Sequence, residues 1–132
     1  MIYRKRKVPR KNKRVEHQIQ SGIEAALRLN GCEVYRGNVG LAYTKDGRAF
    51  RTGLPAGFPD LFGFKKKNQK MFFIEVKTPT GRIRQSQINF HMALMHDKAI
   101  HGIARSIDDA LKIVNEELIG YGYPETKEKI WL

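Results

Sequence analysis

Between Val15 and Asn30 the apolar residues Ile19, Ile23, Ala26 and Leu27 recur at helical spacing, and Gly31 follows as a suitable stop. A first helix is therefore predicted over 15–30. The pattern then changes to short runs. "CEVYRGN" from Cys32 has the character of a strand, and "LAYTKDGRAFRTG" that of a hairpin turning at Asp46-Gly47. "DLFGF" and "KMFFIEVKT" predict two further strands joined by the polar turn "KKKNQ". After the loop "TPTGR", helical spacing returns from about Gln85 to Asp97. A short strand, "IAR", follows Gly102. A last helix comes next, with Ser106 and Asp109 at capping-box spacing and Leu111, Val114 and Leu118 as its core face. Gly120 and Gly122 are expected to end it. The order α-β-β-β-β-β-α-β-α predicts an α/β domain, a central mixed sheet with helices on both sides.

Five polar side chains interrupt these apolar patterns. Alternation in "MFFIEVKT" puts Phe72, Ile74 and Val76 on one face and Phe73, Glu75 and Lys77 on the other. Ionised groups are costly to bury unless paired or metal-bound. An isolated Glu-x-Lys is ordinarily a solvated strand face with a cross-strand ion pair. Asp60, opening the preceding strand after Gly57-Phe58-Pro59, changes that. If the two strands pair, its carboxylate faces Glu75, and a hard divalent cation relieves the repulsion. Glu16 projects between Ile23 and Leu27 on the first helix, where its alternative role is to favour the helix N-terminus. Gln87 projects inward between Leu94 and His91, flanked by Phe90, where an amide needs partners. His91 is expected to be a satisfied core histidine and is left out of the catalytic set.

Charge narrows the class of partner. The 132 residues suit one domain, and 25 Lys and Arg against 13 Asp and Glu give a net charge of +12. From Gly47 to His96 there are nine Lys and Arg, and Asp60 and Glu75 are the only acids. A polyanionic partner is implied, most simply nucleic acid. Residues 1–14 hold eight basic residues and no acid. They are expected to form a flexible arm whose Arg4, Lys5, Arg6, Lys7, Arg10, Lys11, Lys13 and Arg14 contact phosphates. Cys32 is the single cysteine, which excludes a disulfide framework and a cysteine-rich zinc site and fits a reducing, cytosol-like compartment. No apolar run approaches the roughly 18 residues of a membrane span, and the basic N-terminus lacks the apolar stretch of a secretory signal.

Taken in order, Glu16, Gly57-x-Pro59-Asp60, Glu75-x-Lys77 and Gln87 resemble the VRR-NUC (virus-type replication-repair nuclease) family, a branch of the PD-(D/E)xK nucleases. The flanks "VYRGNVG", "TPTGR" and "HGIARSIDDAL" agree, so the likeness runs from about Val15 to Leu118. The resemblance implies a restriction-endonuclease-like fold and phosphodiester hydrolysis with Mg²⁺ or Mn²⁺. Asp60, Glu75 and the Val76 backbone carbonyl would hold the ion, which would activate a water and neutralise the scissile phosphate. Lys77 would orient or deprotonate that water. Glu16 would bind a second ion or its water, and Gln87 would hydrogen-bond within the cluster. Arg36, Arg82 and Arg84 would join the arm in binding DNA. One departure stands out. A small hydroxyl residue is usual three positions before the Gln, but here it is Arg84, which leaves Ser86 as the residue able to cap that helix.

The expected organisation is an arm at 1–14, the nuclease domain at 15–119 and a tail at 120–132. Stand-alone members of the family look viral and resemble Holliday-junction resolvases in scale. The chain is therefore expected to be a structure-specific, phage-like endonuclease of DNA repair that cuts four-way junctions as a homodimer, in a bacterial or host cytoplasm. Tyr121, Tyr123, Ile130, Trp131 and Leu132 supply apolar groups for the dimer contact or for the chain's own core. The alternatives are a non-catalytic basic nucleic-acid-binding module, a sequence-specific restriction nuclease, and a nuclease acting on flaps, nicks or linear duplex.

Overall fold

The structure, a computed structural model, describes residues 10–37, 41–51 and 53–124. Its elements are α1 (Arg10–Leu29), β1 (Cys32–Arg36), β2 (Leu41–Tyr43), β3 (Ala49–Arg51), β4 (Leu61–Lys65), β5 (Met71–Val76), α2 (Gln85–His96), β6 (Ile100–Ala104), α3 (Ile107–Asn115) and β7 (Ile119–Tyr121). Helix α1 starts at Arg10, five residues before the expected start. Arg and Lys are good helix formers, and their repulsion in water is too weak to stop a helix already anchored by Ile19, Ile23 and Leu27. Residues 10–14 thus continue α1, while residues 1–9 of the expected arm lie outside the described residues.

The main sheet runs β1-β4-β5-β6-β7. β4 pairs antiparallel with both β1 and β5, β6 pairs parallel with β5, and β7 pairs parallel with β6. On one face Val34, Leu61, Phe72, Ile74, Val76 and Ala104 meet Ile23 and Leu27 of α1 and Ala110, Ile113 and Val114 of α3 in a single core. α1 and α3 approach closely at Gly22, beside Ile107. The core face of α3 is therefore Ala110, Ile113 and Val114. Leu118 lies beyond the helix, where its N–H donates to the Ile113 carbonyl at 3.0 Å. Ser106 caps α3 as expected, accepting from the Asp109 N–H at 3.1 Å.

On the opposite face α2 lies against β6 and β7 and buries His91 and Leu94. Register aligns Tyr35, Phe62, Phe73 and His101 across four strands of this face. Phe58 sets the edge of its ring against Phe62, Phe73 and Phe90, at centroid distances of 5.3, 6.0 and 5.2 Å. Helices thus cover both sides of a mixed sheet, as the element order predicts. β7 was not expected. It is three residues long, and Gly120 inside it has φ of 83°, which in sequence looks like a stop. The hairpin β2–β3 forms as expected but as a separate two-stranded ribbon outside the main sheet.

Candidate active site

Leu61 pairs with Ile74, so Asp60 enters β4 opposite Glu75 at the carboxyl end of β5. The Asp60 position is fixed from three directions. Its Oδ2 accepts from the Val76 N–H at 2.8 Å, and its carbonyl accepts from the Gly37 N–H at 2.8 Å. Three residues earlier, Gly57 has φ of 82°, and a Cβ there would run into the Ser86 carbonyl at the start of α2.

Glu75 is 2% exposed. Its Oε1 accepts from the Gln87 Nε2–H at 2.8 Å and lies 3.9 Å from the Lys77 ammonium, which is also buried. Burial first, then the charge of Asp60 and a hydrogen bond with it, hold the Glu75 carboxyl far above the usual carboxylate range. Lys77 opposes this and Glu16 adds to it. Glu16, half-buried on α1, is also raised, first by desolvation and then by Asp60, against the pull of Lys77, Arg84 and Lys13. All five expected residues, Glu16, Asp60, Glu75, Lys77 and Gln87, therefore meet at one corner of the sheet.

Gln87 does two jobs there. While its amide N–H₂ holds Glu75, its Oε1 accepts from the Arg84 N–H at 2.9 Å. Arg84 is the N-cap of α2, and Ser86 lies inside the helix, so Ser86 is not the cap. The missing hydroxyl is compensated by the Gln87 side chain reaching back.

Of the basic residues expected at DNA, Lys13, Arg14, Arg82 and Arg84 are exposed. Arg10 and Lys11 belong to α1, and Arg4, Lys5, Arg6 and Lys7 lie outside the described residues. Arg36 is committed elsewhere. Its guanidinium forks onto Glu24, with Nε at 3.1 and 3.2 Å and Nη2 at 3.0 Å from the carboxylate oxygens. Glu24 is 5% exposed, so this pair ties α1 to β1 rather than offering a free cation. Sequence reasoning missed it, although Glu24 sits three residues before the core residue Leu27. It also missed Arg105, whose Nη1 donates to the carbonyls of Thr78 at 2.6 Å and Gly81 at 2.9 Å. That clamp fixes the loop from Lys77 toward Arg82 and α2. Its target is backbone, which leaves no side-chain signature in sequence.

His91 is the buried core histidine expected, and its partner is His101. The Ala99 carbonyl can only accept, so His101 Nδ1 donates to it at 2.7 Å. His101 Nε2 then accepts from the His91 Nδ1–H at 2.8 Å. Tyr123 stacks on His91 with ring centroids 3.8 Å apart, and Tyr121 donates to Asp109 at 3.1 Å. These tyrosines are therefore used within the fold and are not spare groups for a dimer. Burial, then the neighbouring His101, pull His91 down to about 4. Below its ordinary 6.5 the unfolded chain takes up a proton that the folded chain refuses, so this stability is lost as pH falls from 6.5 toward 4. A non-titrating His91→Gln variant does not share that loss. In urea titrations the stability of wild type relative to the variant is expected to fall by about 3 kcal/mol over this window. A constant difference from pH 7 to 4 would contradict it.

The residues present suit an oxygen-seeking cation. Among the described residues no group of three or more His, Cys, Asp or Glu side chains gathers as a metal cage. Two facing carboxylates, one of them buried and disfavoured as an anion, are instead the donor set Mg²⁺ or Mn²⁺ accepts when waters and phosphate oxygens complete the shell. A family model described as the VRR-NUC domain matches residues 16–107, a span that opens on Glu16 and contains Asp60, Glu75, Lys77 and Gln87. No curated protein matches the chain, and no solved structure does.

Proposed function

The chain belongs to the VRR-NUC family of PD-(D/E)xK nucleases, and we propose that it is a divalent-metal-dependent, structure-specific DNA endonuclease of the Holliday-junction-resolving type. The family makes it a nuclease with a DNA substrate. The observation that supports metal-dependent catalysis is the buried Glu75, held by Gln87, faced by Asp60 and flanked by Lys77. A non-catalytic binding module explains the charge of +12 but has no use for that arrangement.

In this proposal Asp60, Glu75 and the Val76 carbonyl hold the ion, with Glu16 available to a second. When bound, the ion neutralises charge on the phosphate and makes water a better nucleophile at neutral pH. Gln87 fixes the Glu75 carboxylate, and the Val76 N–H fixes that of Asp60, so neither has to reorganise. Lys77 orients the attacking water and offsets charge building on the phosphate oxygens. Arg82, Arg84, Lys13 and Arg14 position the DNA backbone, together with the basic residues before them.

The homodimer follows from the substrate. One site cuts one strand, a four-way junction needs two opposed cuts, and a two-fold dimer presents two sites in matching orientation. Ile130, Trp131 and Leu132, expected to offer apolar contact, lie outside the described residues. A cytoplasmic place of action, in a bacterium or in the host of a virus, fits such a substrate. Among the described residues no helix is long and apolar enough to cross a membrane.

The test compares divalent-dependent nicking of a four-way junction with that of linear duplex, alongside sedimentation. Paired cuts in the junction and a species about twice the 15.2 kDa chain mass are expected. A strict monomer that cuts both DNAs equally would leave the nuclease standing and remove the resolvase.

A further inference from the structure

The segment between β1 and β4 leaves the sheet and returns to it at one point. The Gly37 N–H donates to the Asp60 carbonyl at 2.8 Å, and a Cβ on Gly37 would strike the Pro59 carbonyl. Everything between Gly37 and Asp60 is therefore an excursion closed on the backbone of a site carboxylate. At its outer end stands the ribbon β2–β3.

The ribbon is well made locally. The Thr44 N–H donates to the Arg48 carbonyl at 2.9 Å and the Gly47 N–H to the Thr44 carbonyl at 3.0 Å, with Gly47 at φ of 86°. Yet two-stranded hairpins are marginal in water without a covered face. Here every side chain described, from Tyr43 to Arg51, is exposed. Tyr43 pairs with Ala49 and Phe50 with Ala42, so the two rings project from opposite faces. They are 66% and 49% exposed.

The charges around them indicate what would cover them. Lys45, Arg48 and Arg51 surround the rings, and the single acid, Asp46, is engaged by Arg48 at 3.4 Å and by the Thr44 hydroxyl. A protein partner would favour an apolar centre depleted of charge. A ring on each face within a cationic rim matches nucleotides, whose bases present flat π-faces and whose phosphates are anionic. Bases inside an intact duplex do not expose those faces, whereas the base pairs that end each arm at an opened branch point expose one.

We propose that the β2–β3 ribbon is a base-stacking element in which Tyr43 and Phe50 engage the unstacked bases of an opened branch point beside the scissile phosphate. The proposal rests on the nuclease reading and supplies it with a basis for preferring branched DNA. The Gly37 bond to the Asp60 carbonyl ties the root of this excursion to the site.

The test measures binding in an inactive Glu75→Gln background, so it does not depend on cleavage. A four-way junction carrying 2-aminopurine at the branch is compared with linear duplex, with and without Tyr43→Ser and Phe50→Ser together. Both positions are exposed, and unchanged thermal melting checks the fold. The pair of substitutions is expected to weaken junction binding about tenfold or more and to abolish the 2-aminopurine signal, with duplex binding changed less than about twofold. Equal losses on both DNAs, or no loss, would overturn the proposal. So would a change from dimer to monomer with junction binding intact, which would make the ribbon an interface between copies. If the parent chain binds junctions through the ribbon but cuts no DNA, the nuclease reading fails and the stacking element stands.

Discussion

Replacing Glu75 by Gln, or Asp60 by Asn, will lower cleavage by about a thousandfold or more, roughly 4 kcal/mol of barrier, while leaving DNA affinity within a few-fold. The two effects separate if, as proposed, the carboxylates serve the metal and the exposed Lys13, Arg14, Arg82 and Arg84 serve the phosphates. Glu75→Gln carries a second expectation. In the metal-free protein burial, then Asp60, push the Glu75 carboxyl well above its ordinary range and favour its protonated form. An amide of the same shape can still accept from Gln87 and can donate to Asp60, without a buried charge to suppress. The sign follows from linkage. A carboxyl raised above its ordinary 4.5 costs stability as pH rises beyond 4.5, because the unfolded chain ionises and the folded chain does not. The metal-free variant should therefore melt no lower than wild type at pH 7, and the difference should grow with pH. Wild type should gain melting temperature on adding Mg²⁺ or Mn²⁺, and the variant should not. Turnover near wild type in either carboxylate variant would show that the site lies elsewhere.

Gly57→Ala should damage both fold and activity, though no atom of Gly57 takes part in chemistry. Alanine pays a penalty at φ of 82°, and its Cβ meets the Ser86 carbonyl, a backbone atom that cannot turn aside. Ser86 is next to Gln87, and Gly57 is three residues from Asp60. Relief must push α2 and the Asp60 turn apart, which draws Gln87 away from Glu75 and displaces Asp60. We expect a stability loss of about 2–3 kcal/mol and a cleavage loss on the order of a hundredfold, since displacements near 1 Å suffice for that. Gly53→Ala is the control. Its φ is 84°, but a Cβ there meets nothing within 4 Å. It should show the backbone penalty alone, about 1 kcal/mol, with cleavage retained. Equal activity losses in the two variants would mean that strain, and not the approach to Ser86, is what matters.

The site was more legible in sequence than parts of its frame, for a physical reason. Glu75, Lys77, Glu16 and Gln87 are polar groups on apolar stripes, and such groups are conspicuous because burying them is costly. The strands β4 and β5 showed as apolar runs bounded by polar turns, and α1 and α3 had apolar positions at helical spacing. Other features had no such contrast. β7 is too short for a period to show, and its glycines mimic punctuation. The start of α1 depended on how far an anchored helix extends into solvent, which local charge does not decide. Arg105 acts on backbone carbonyls, and the Glu24–Arg36 and His91–His101 pairs join positions whose meeting only the assembled sheet reveals. The Ser86 cap failed because Gln87 already fills that role from within the helix.

The placement of Asp60 and Glu75 on one hairpin bears on how the chain folds. The bond from the Val76 N–H to Asp60 spans 16 residues, and that from Gln87 to Glu75 only 12. The centre of the site thus has low contact order, and hairpins of this kind close in about 1–10 μs. β1 must add to the other side of β4 from far back in the chain, and α1 must bring Glu16 across the sheet. Those long-range steps carry no candidate-site carboxylate except Glu16. A pair this local is expected to assemble before the domain around it is complete, so that its mutual repulsion is met early. A divalent ion or a shared proton that relieves this repulsion acts on the folding nucleus as well as on the finished enzyme.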